Sequence, residues 1–492
     1  MAMLNFFHIM MSRSYLRRIS ITTICFLVLF IAFKRVSEWS LESSYDRIPS
    51  LRRPHGQDSY NSSNQLEPII DQNPTGTYDS SCDTFPDTSN ILVVVKTGAT
   101  ESFAKIPTQL VTLLRCHPGF LHFSDMRQKI AGFDIHDSLD AVLATAKDGN
   151  PDFNLYRHQQ ACPVDLQSCN ANSDRFFEGW TLDKYKNIHI AEKAWTLRPN
   201  YDWYLFIDAD TYILWHNLVQ WLRRLDSWKK HYIGSVALID DFRFGHGGSG
   251  YLLSGAAMKD FVGNHSGVAN KFDLRIKDFC CGDYMMGIAL NETIGLEVEQ
   301  AWPTMNGEKP YTIPFDSRQW CHPVVTMHHM DPEEISSFFR FEERFYQYQT
   351  APGLLRPSIR FKDIYEEFIM PKLVARREDW DNLSEDVYYI NPDIEYMQWQ
   401  MKLAKHGPLR PVESNAHKSF EHCRELCKSV RNCFQFSYHN GICAYHKGFR
   451  LGEPRMKART QDRRWISGWD VGRIKAWIAE QDECGEAMWP KL

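Results

Sequence analysis

Short apolar runs alternate with helix-like segments through the first half of the chain. Residues 91–95 are a continuous apolar, largely β-branched run, which predicts a buried strand, and a helical pattern follows over residues 105–114. A second strand is predicted over residues 120–125, and apolar residues at helical spacing predict a helix over residues 183–197. Strands that alternate with helices over about 250 residues predict an α/β fold with a mostly parallel sheet.

A third predicted strand, residues 203–207, stops at two carboxylates, Asp208 and Asp210. Ligands bind α/β sheets at such strand ends, and Asp-x-Asp provides the oxygen ligands that Mg²⁺ or Mn²⁺ prefers. Taken alone, the motif is more typical of a turn. Residues 231–239 form one more predicted strand.

Three later stretches help to decide whether Asp208 and Asp210 form a metal site or a turn. Residues 245–250 hold four glycines in six positions, which permits close approach of a ligand or simply a flexible loop. Asp283 precedes an apolar helical segment and is either a helix cap or a base that faces a cleft. An apolar strand ends at His328 and His329, which are candidate metal ligands or structural residues. On the same chain as Asp-x-Asp, these features favour a shared metal.

In this order, the motifs resemble glycosyltransferase family 31, the inverting β1,3-transferases that include the Fringe and core 1 galactosyltransferase groups. The resemblance covers roughly residues 90–345. Asp208-Ala209-Asp210-Thr211-Tyr212 resembles the family's Asp-Asp-Asp-Thr-Tyr, with Ala209 in place of the middle acid. The other matching motifs are Val95-Lys96-Thr97, Phe123-Ser124-Asp125, Gly247-Gly248-Ser249-Gly250-Tyr251-Leu252-Leu253-Ser254, Asp283-x-x-x-Gly287 and His328.

The resemblance implies a GT-A-type nucleotide-sugar transferase fold, a UDP-sugar donor and Mn²⁺. It implies that Asp210 and His328, rather than His329, bind the metal, with Asp208 on the metal or the donor ribose. Asp283 matches the second acid of the family's paired-acid motif and is the candidate base; Gly282 stands where the first acid usually is. The implied donor-binding residues are Lys96, Thr97, Asp125, Asp208, Gly247, Gly248 and Gly250.

The C-terminal part has a different character. Residues 351–405 are rich in Pro, Arg and acids and are predicted to be a linker. Residues 406–492 combine a helical pattern around Cys423 and Cys427, a strand-like alternation from Cys433, and an Asn440-Gly441 hairpin signal. This pattern resembles a PAN/apple module, a small disulfide-rich α+β domain, and the resemblance implies the pairs Cys427–Cys433 and Cys423–Cys443. Such modules bind proteins or carbohydrates; a cap without a ligand is the alternative.

Composition narrows the functional classes. The chain has 492 residues and a formal net charge of −5, which does not indicate a nucleic-acid-binding protein. Its 15 tryptophans are compatible with sugar binding. Twelve cysteines lie outside the N-terminal apolar run and are compatible with up to six disulfides, hence an oxidising compartment. Cys162 and Cys169 bracket a short loop that one disulfide would close.

The N-terminal residues predict that the protein is anchored in a membrane. Residues 19–33 contain no charge and have basic residues on both sides, which predicts a type II signal-anchor after a cytoplasmic tail, 1–18; a buried soluble helix is the alternative. Residues 34–89 lack apolar periodicity and are predicted to be a stem. Glycosylation sequons begin at Asn61, Asn264, Asn291 and Asn382 and support a lumenal location.

The sequence thus predicts a single-pass type II Golgi protein whose lumenal catalytic domain, residues 90–350, has a GT-A fold. The expected reaction is the inverting transfer of a hexose from a UDP-sugar to a glycan or glycoprotein, forming a β1,3 linkage. Galactose is the first expectation for the hexose and N-acetylglucosamine the second. The alternative is a non-catalytic, membrane-anchored carbohydrate-binding protein or a chaperone that retains the transferase fold; Ala209 and Gly282 motivate it.

Overall fold

The central strand of the molecule, β1, is apolar along nearly its whole length because both faces of the sheet at this strand are covered. In this computed structural model, which describes residues 82–171, 174–347, 356–481 and 483–492, Val93 and Val95 belong to one hydrophobic core. Leu92 and Val94 belong to the core on the opposite face. The alternation follows from the strand geometry, in which successive side chains point to opposite faces.

Nineteen strands are found in the described residues. They are β1 (Ile91–Lys96), β2 (Phe120–Ser124), β3 (Gln128–Ile130), β4 (Phe133–Asp137), β5 (Trp203–Asp208), β6 (Tyr212–Ile213), β7 (Tyr232–Gly234), β8 (Val236–Ile239), β9 (Phe242–Gly245), β10 (Tyr251–Ser254), β11 (Glu299–Gln300), β12 (Thr326–Met327), β13 (Arg376–Glu378), β14 (Trp380–Asp381), β15 (Val387–Ile390), β16 (Gln435–His439), β17 (Ile442–His446), β18 (Glu453–Pro454) and β19 (Ile466–Trp469).

Eight helices in the described residues are at least eight residues long. They are α1 (Ser102–Val111), α2 (Arg175–Asp183), α3 (Lys186–Leu197), α4 (Trp215–Leu222), α5 (Gly282–Ile294), α6 (Pro332–Gln347), α7 (Phe420–Ser429) and α8 (Val471–Ala479). Shorter helical segments are Ala144–Lys147, Pro151–Phe153, Asn154–Gln160, Leu166–Cys169, Gly255–Met258, Lys259–Gly263, Ala269–Lys271, Asp273–Ile276, Phe361–Ile364, Tyr365–Ile369, Met370–Lys372, Gln398–Leu403, Pro411–Ser414, Ala416–Lys418 and Gln461–Arg463.

The main sheet has eight strands in the order β11-β7-β10-β5-β1-β2-β4-β3. The pairs β1–β5, β1–β2, β2–β4 and β7–β11 are parallel. Strand β10 runs antiparallel to both β5 and β7, and β3 runs antiparallel to β4. The α/β prediction is confirmed, but the sheet is mixed rather than mostly parallel because β10 enters it in the reverse direction.

The C-terminal part is built on a five-stranded antiparallel sheet, β13-β19-β16-β17-β15. The hairpin between β16 and β17 turns at Asn440 and Gly441, which have φ values of 46° and 69°, as a type I′ turn requires. Disulfides Cys423–Cys443 and Cys427–Cys433 hold α7 near this hairpin, in the predicted pairing. Strands β13, β14 and β15 lie within residues 351–405, the segment predicted to be a linker.

This C-terminal sheet shares a core with the main sheet. Phe449, Trp469 and Ile474 are buried in the same cluster as Val93 and Val95 of β1. A disulfide between Cys321 and Cys484 crosses 163 positions of sequence. The described residues therefore form one compact unit rather than two tethered domains.

Twelve cysteines form six disulfides, so the predicted maximum is reached. Besides the pairs already given, they are Cys82–Cys116, Cys162–Cys169 and the sequence neighbours Cys280–Cys281. The short loop predicted between Cys162 and Cys169 is confirmed. This number of bonds agrees with an oxidising environment during folding.

One predicted glycosylation sequon is part of the core. Asn382 is fully buried, and its side-chain amide donates hydrogen bonds to the carbonyls of Phe436 and Gly468 at 3.1 and 3.2 Å. The Ser384 hydroxyl of the same sequon donates a hydrogen bond to the side-chain oxygen Oδ1 of Asn382. A glycan does not fit at this asparagine in the folded chain, so the sequon prediction fails at Asn382.

The N-terminal predictions lie outside the described residues. The tail at 1–18, the signal-anchor at 19–33, the sequon at Asn61 and all but the last residues of the stem fall there. Among the residues that are described, no helix combines the length and the apolar character needed to cross a bilayer.

Candidate functional site

A cleft of about 470 Å³ opens at the ends of β1 and β5, the two central strands. Because these strands are adjacent and parallel, their last residues, Lys96 and Asp208, are register partners. The volume is within the range of small-molecule sites. The lining residues are Lys96, Thr97, Gly98, Thr100, Glu101, Lys105, Gly179, Trp180, Asp183, Lys184, Lys186, Asp208, Ala209, Asp210, His246, Gly247, Gly248, Cys280, Cys281, Gly282, Asp283, His328 and His329.

A candidate metal centre lies in this cleft. One possible ligand atom from each of Asp210, His328 and His329 lies within 4.8 Å of the other two. The pairing of β12 with β6, in which Met327 stands opposite Tyr212, brings these residues together from positions more than a hundred residues apart. The Nε2 atom of His328 is 3.1 Å from Oδ1 of Asp210.

Charge around Asp210 favours its ionised form. Burial by itself would raise the pKa of Asp210, but the His328 hydrogen bond and the nearby Lys105 ammonium outweigh it and hold that pKa well below the usual range. Lys105 Nζ lies 3.3 Å from Asp210 Oδ2 and 2.8 Å from Glu101 Oε2. A carboxylate that is ionised over the whole physiological range is ready to bind a cation.

His329 belongs to the cluster, although sequence reasoning favoured His328 alone. The backbone at His329 has a φ of 59°, a conformation that few non-glycine residues adopt. The two imidazole centroids are 3.9 Å apart. Burial and then the neighbouring His328 lower the pKa of His329, which favours the neutral ring that binds metals.

Asp208 lies beside the cluster rather than in its centre. Its Oδ2 atom is 3.9 Å from His328 Nε2, whereas its Oδ1 atom is 3.2 Å from Lys96 Nζ. Burial raises the pKa of Asp208; Lys96 opposes this shift, and the carboxylates of Asp183 and Asp210 add to it. Asp208 therefore lies between Lys96 and His328, outside the three-residue metal cluster.

The residues present fit a divalent transition-metal ion. The Nδ1 atom of His328 is buried and has no hydrogen-bond partner in the described part of the chain. Gly248 packs against the same ring, and a Cβ there would lie 2.1 Å from His328 Cε1. Carboxylate and imidazole together suit Mn²⁺, Fe²⁺ and Zn²⁺. The donor set thus predicts a metal without selecting one of these three.

The glycine-rich loop connects the metal cluster to Asp283. The Gly247 N–H donates a hydrogen bond of 2.8 Å to Asp283 Oδ2, and Gly248 is the neighbour of His328. Asp283 is the second residue of α5, so its carboxylate is also near the positive end of that helix. Thr211, directly after Asp210, donates to the Gly248 carbonyl and fixes the loop from the other side.

The packing around Gly282 leaves no room for a side chain at this position. A Cβ at this position would lie 2.9 Å from the backbone oxygen of Asp183 and 3.2 Å from Cγ of Asn187. No side chain fits between α5 and the end of α2 without movement of the backbone. An acid at position 282, which the family pattern would place there, is therefore sterically excluded.

A second cluster of charged side chains lies in and below the cleft. Lys96 forms an ion pair with Asp183, and Lys186 lies 3.4 Å from Asp183 and 3.5 Å from Asp125. Burial alone would raise the pKa of Asp183, but Lys96 and Lys186 outweigh it and lower that pKa. These ion pairs hold the lysine and aspartate side chains in place beside the metal cluster.

Most of the predicted site residues meet in the cleft. Lys96, Thr97, Asp208, Gly247, Gly248, Asp210, Asp283 and His328 all line it. Asp125 and Gly250 do not. Asp125 is 1% exposed and accepts a hydrogen bond from the Ala99 N–H, so it supports the loop after β1 from below. Gly250 is buried at a φ of 78° and packs on Phe206 and Ile207.

Sequence reasoning missed several residues that line the cleft. Lys105, Trp180, Asp183, Lys186 and His246 come from helices or from the glycine loop, and no motif marked them. For Lys105, the Glu101–Lys105 spacing is an available signal of an ion pair on one helix face. The others are recruited only by tertiary packing.

Comparison with known proteins adds no identity. No protein-family model matches the chain, and a search of curated proteins gives no match.

Proposed function

We propose that this protein is an inverting glycosyltransferase that uses a metal ion and transfers a hexose from a UDP-sugar to a glycan or glycoprotein hydroxyl. One observation supports the proposal most directly: the Asp210, His328 and His329 cluster opens into the same cleft as Asp283. Asp210, His328 and Asp283 correspond to the metal ligands and base that the sequence motifs suggest, and His329 is added by the structure. A GT-A-type arrangement and a β1,3 linkage are parts of the same proposal.

The charge of the cleft supports a role for a cation. Five carboxylates and four lysines line it, so without a metal the lining carries no excess of positive charge. A nucleotide diphosphate is strongly anionic and would meet these carboxylates at close range. Asp210, His328 and His329 would hold a divalent ion, for which we propose Mn²⁺, and the ion would supply Lewis-acid chemistry that offsets negative charge on a diphosphate leaving group.

Asp283 is proposed as the general base. Its Oδ2 atom is held by the Gly247 N–H at 2.8 Å, which fixes the orientation of the carboxylate in the cleft. The acceptor oxygen bonds to the anomeric carbon while its proton passes to Asp283. The bond from that carbon to the diphosphate oxygen breaks, and its electron pair leaves with UDP. A single displacement of this kind inverts the anomeric centre and requires no covalent intermediate.

Lysines that line the cleft are proposed to help hold the donor. Lys105 Nζ lies 3.3 Å from Asp210 Oδ2 of the metal cluster and also pairs with Glu101. Lys96 and Lys186, which line the same cleft, pair with Asp183, Asp208 and Asp125. In this proposal Asp208 contacts the metal or the donor ribose.

The proposed location and donor sugar rest on the sequence. We propose a type II protein of the Golgi membrane, with galactose as the first donor sugar to test and N-acetylglucosamine as the second. The six disulfides agree with folding in an oxidising compartment. A carbohydrate-binding protein or chaperone that retains the fold is the competing proposal, and nucleotide binding separates the two.

The test is calorimetry of UDP binding to the full-length protein with and without Mn²⁺. We expect binding that requires the ion and that falls by about 100-fold or more in Asp210→Asn, because the variant removes a ligand charge. Asp241→Asn is the matched control, since Asp241 is exposed and its φ of 68° suits asparagine. Equal UDP binding with and without Mn²⁺, or no binding in the wild type, would contradict the proposal.

A further inference from the structure

We propose that Trp180 and the adjacent-residue disulfide Cys280–Cys281 form an apolar wall of the cleft that binds the acceptor sugar ring. The inference rests on the proposed transferase function and extends it to the second substrate. Three observations carry it: the exposure of Trp180 and Cys280 in one cleft, the contacts between the end of α2 and the start of α5, and the position of Asp283 next to both the disulfide and the glycine-rich loop.

Trp180 is exposed where a large apolar side chain is costly to leave in water. It is 53% exposed, lies on α2 and lines the cleft. An indole offers a broad apolar face, and the C–H face of a pyranose ring is its natural partner in aqueous sites. Among the described residues that line the cleft, Trp180 is the one aromatic ring other than histidine.

The disulfide provides a second uncharged surface. Cys280 and Cys281 are bonded to each other directly before α5, both line the cleft, and Cys280 is exposed. Paired sulfurs are polarizable, do not titrate and donate no hydrogen bond, so they contribute an apolar contact surface. The bond also removes the freedom of the chain at the entrance to α5.

Two contacts hold the end of the helix that carries Trp180 beside the chain segment that carries the disulfide. Gly282, which follows the disulfide, packs against the backbone oxygen of Asp183, three residues after Trp180. Lys184 Nζ donates a hydrogen bond of 3.1 Å to the carbonyl of Lys277, on the other side of the disulfide. The end of α2 and the start of α5 are thus fixed to each other.

Asp283 lies where a base between two substrates should be. On one side it bonds to Gly247, whose neighbour Gly248 packs on His328 of the metal cluster. On the other side it is two residues from Cys281. A sugar ring resting on the apolar wall would present a hydroxyl to Asp283 and to the donor carbon held beside the metal. In that position the acceptor hydroxyl would lie within hydrogen-bond reach of Asp283, as a general base requires.

The experiment compares full-length wild type, Trp180→Ala and Trp180→Phe. The probes are the benzyl β-glycosides of galactose, N-acetylgalactosamine and N-acetylglucosamine, with UDP-galactose and UDP-N-acetylglucosamine as donors. Binding of each glycoside is measured by saturation-transfer NMR, and glycoside-dependent UDP release gives KM and kcat. UDP affinity with Mn²⁺ is measured separately by calorimetry. Phe177→Ala is the matched control, because Phe177 is 61% exposed on the same helix but does not line the cleft.

We expect Trp180→Ala to raise the glycoside KM about tenfold, with UDP affinity unchanged, and Trp180→Phe to restore most of the loss. The double variant Cys280→Ala/Cys281→Ala should also raise KM while UDP affinity is kept. Two outcomes would overturn this inference but leave the proposed function standing. One is a glycoside KM for Trp180→Ala equal to that of the wild type. The other is a wild-type protein that binds UDP but binds none of the glycosides. Loss of the wild-type UDP signal would instead count against the proposed function.

Discussion

Gly248 lies directly against the imidazole of His328, so closely that a Cβ at position 248 would be 2.1 Å from the ring atom Cε1. The same ring lies 3.1 Å from Asp210. A side chain at position 248 would therefore push His328 out of the metal cluster or shift the loop itself. The glycine is required here by the space that the imidazole occupies, not by an unusual backbone angle.

Gly248→Ala should weaken metal binding without unfolding the protein. We expect the Kd for Mn²⁺, measured by calorimetry, to rise by at least about tenfold, because the displaced imidazole no longer meets Asp210. Gly472→Ala is the matched control: the nearest atom to a Cβ there is 3.7 Å away, in ordinary contact. An unchanged Mn²⁺ affinity in Gly248→Ala would show that His328 is not a ligand.

Asp283→Asn should separate binding from chemistry. The amide keeps the shape of the side chain but no longer accepts the acceptor proton, so kcat for transfer should fall about 10²-fold to 10⁴-fold. UDP affinity in the presence of Mn²⁺ should change little, because the metal cluster is untouched. The measurement is UDP release with and without a glycoside acceptor. Transfer at the wild-type rate would remove Asp283 from the mechanism.

Glu342 gives the stability of the protein a defined pH dependence. It lies on α6 and accepts a hydrogen bond of 2.7 Å from the Tyr212 hydroxyl. Burial raises the pKa of Glu342 to about 7, above its ordinary value of 4.5. The folded state thus prefers the protonated acid. The free-energy cost of ionising Glu342 in the folded state is absent below pH 4.5, grows as the pH rises towards 7, and is complete above pH 7.

Glu342→Gln should therefore raise the unfolding free energy at pH 8 by at most about 3 kcal/mol and leave it nearly unchanged at pH 4.5. Chemical denaturation at the two pH values measures the difference. Glu297→Gln is the control, since Glu297 is exposed and is not among the groups that shift the pKa of Glu342. A stabilisation that is equal at both pH values would show that ionisation of Glu342 is not its cause.

The disulfide Cys321–Cys484 should matter more for stability than the short one in the same molecule. Closing a loop of 163 positions removes more unfolded-state entropy than closing one of 7. The chain-entropy relation gives about 5 kcal/mol for Cys321→Ala/Cys484→Ala and about 2 kcal/mol for Cys162→Ala/Cys169→Ala. Denaturant unfolding of the two double variants measures both values. Equal losses would indicate that native-state strain or residual unfolded structure sets the stability instead.

Much of the fold and part of the site followed from local pattern. The strand that ends at Asp208, the helix that begins near Asp283 and the Asn440-Gly441 hairpin are specified by residues within one element. Apolar periodicity predicts these elements because it is fixed by 3.6- and 2-residue geometry. Motif order then predicted that Asp210 and His328 would meet, and the structure brings them together.

Sequence alone thus determined which residues could supply chemistry and which segments are buried; tertiary structure decided how they combine. Only the β6–β12 pairing adds His329 to the cluster, and only the approach of α2 to α5 excludes a side chain at Gly282. The reversed strand β10 and the core shared with the C-terminal sheet were likewise invisible to local pattern. The physical reason is that steric exclusion, ion pairing and burial act between residues far apart in sequence, and no periodicity within a single element records them.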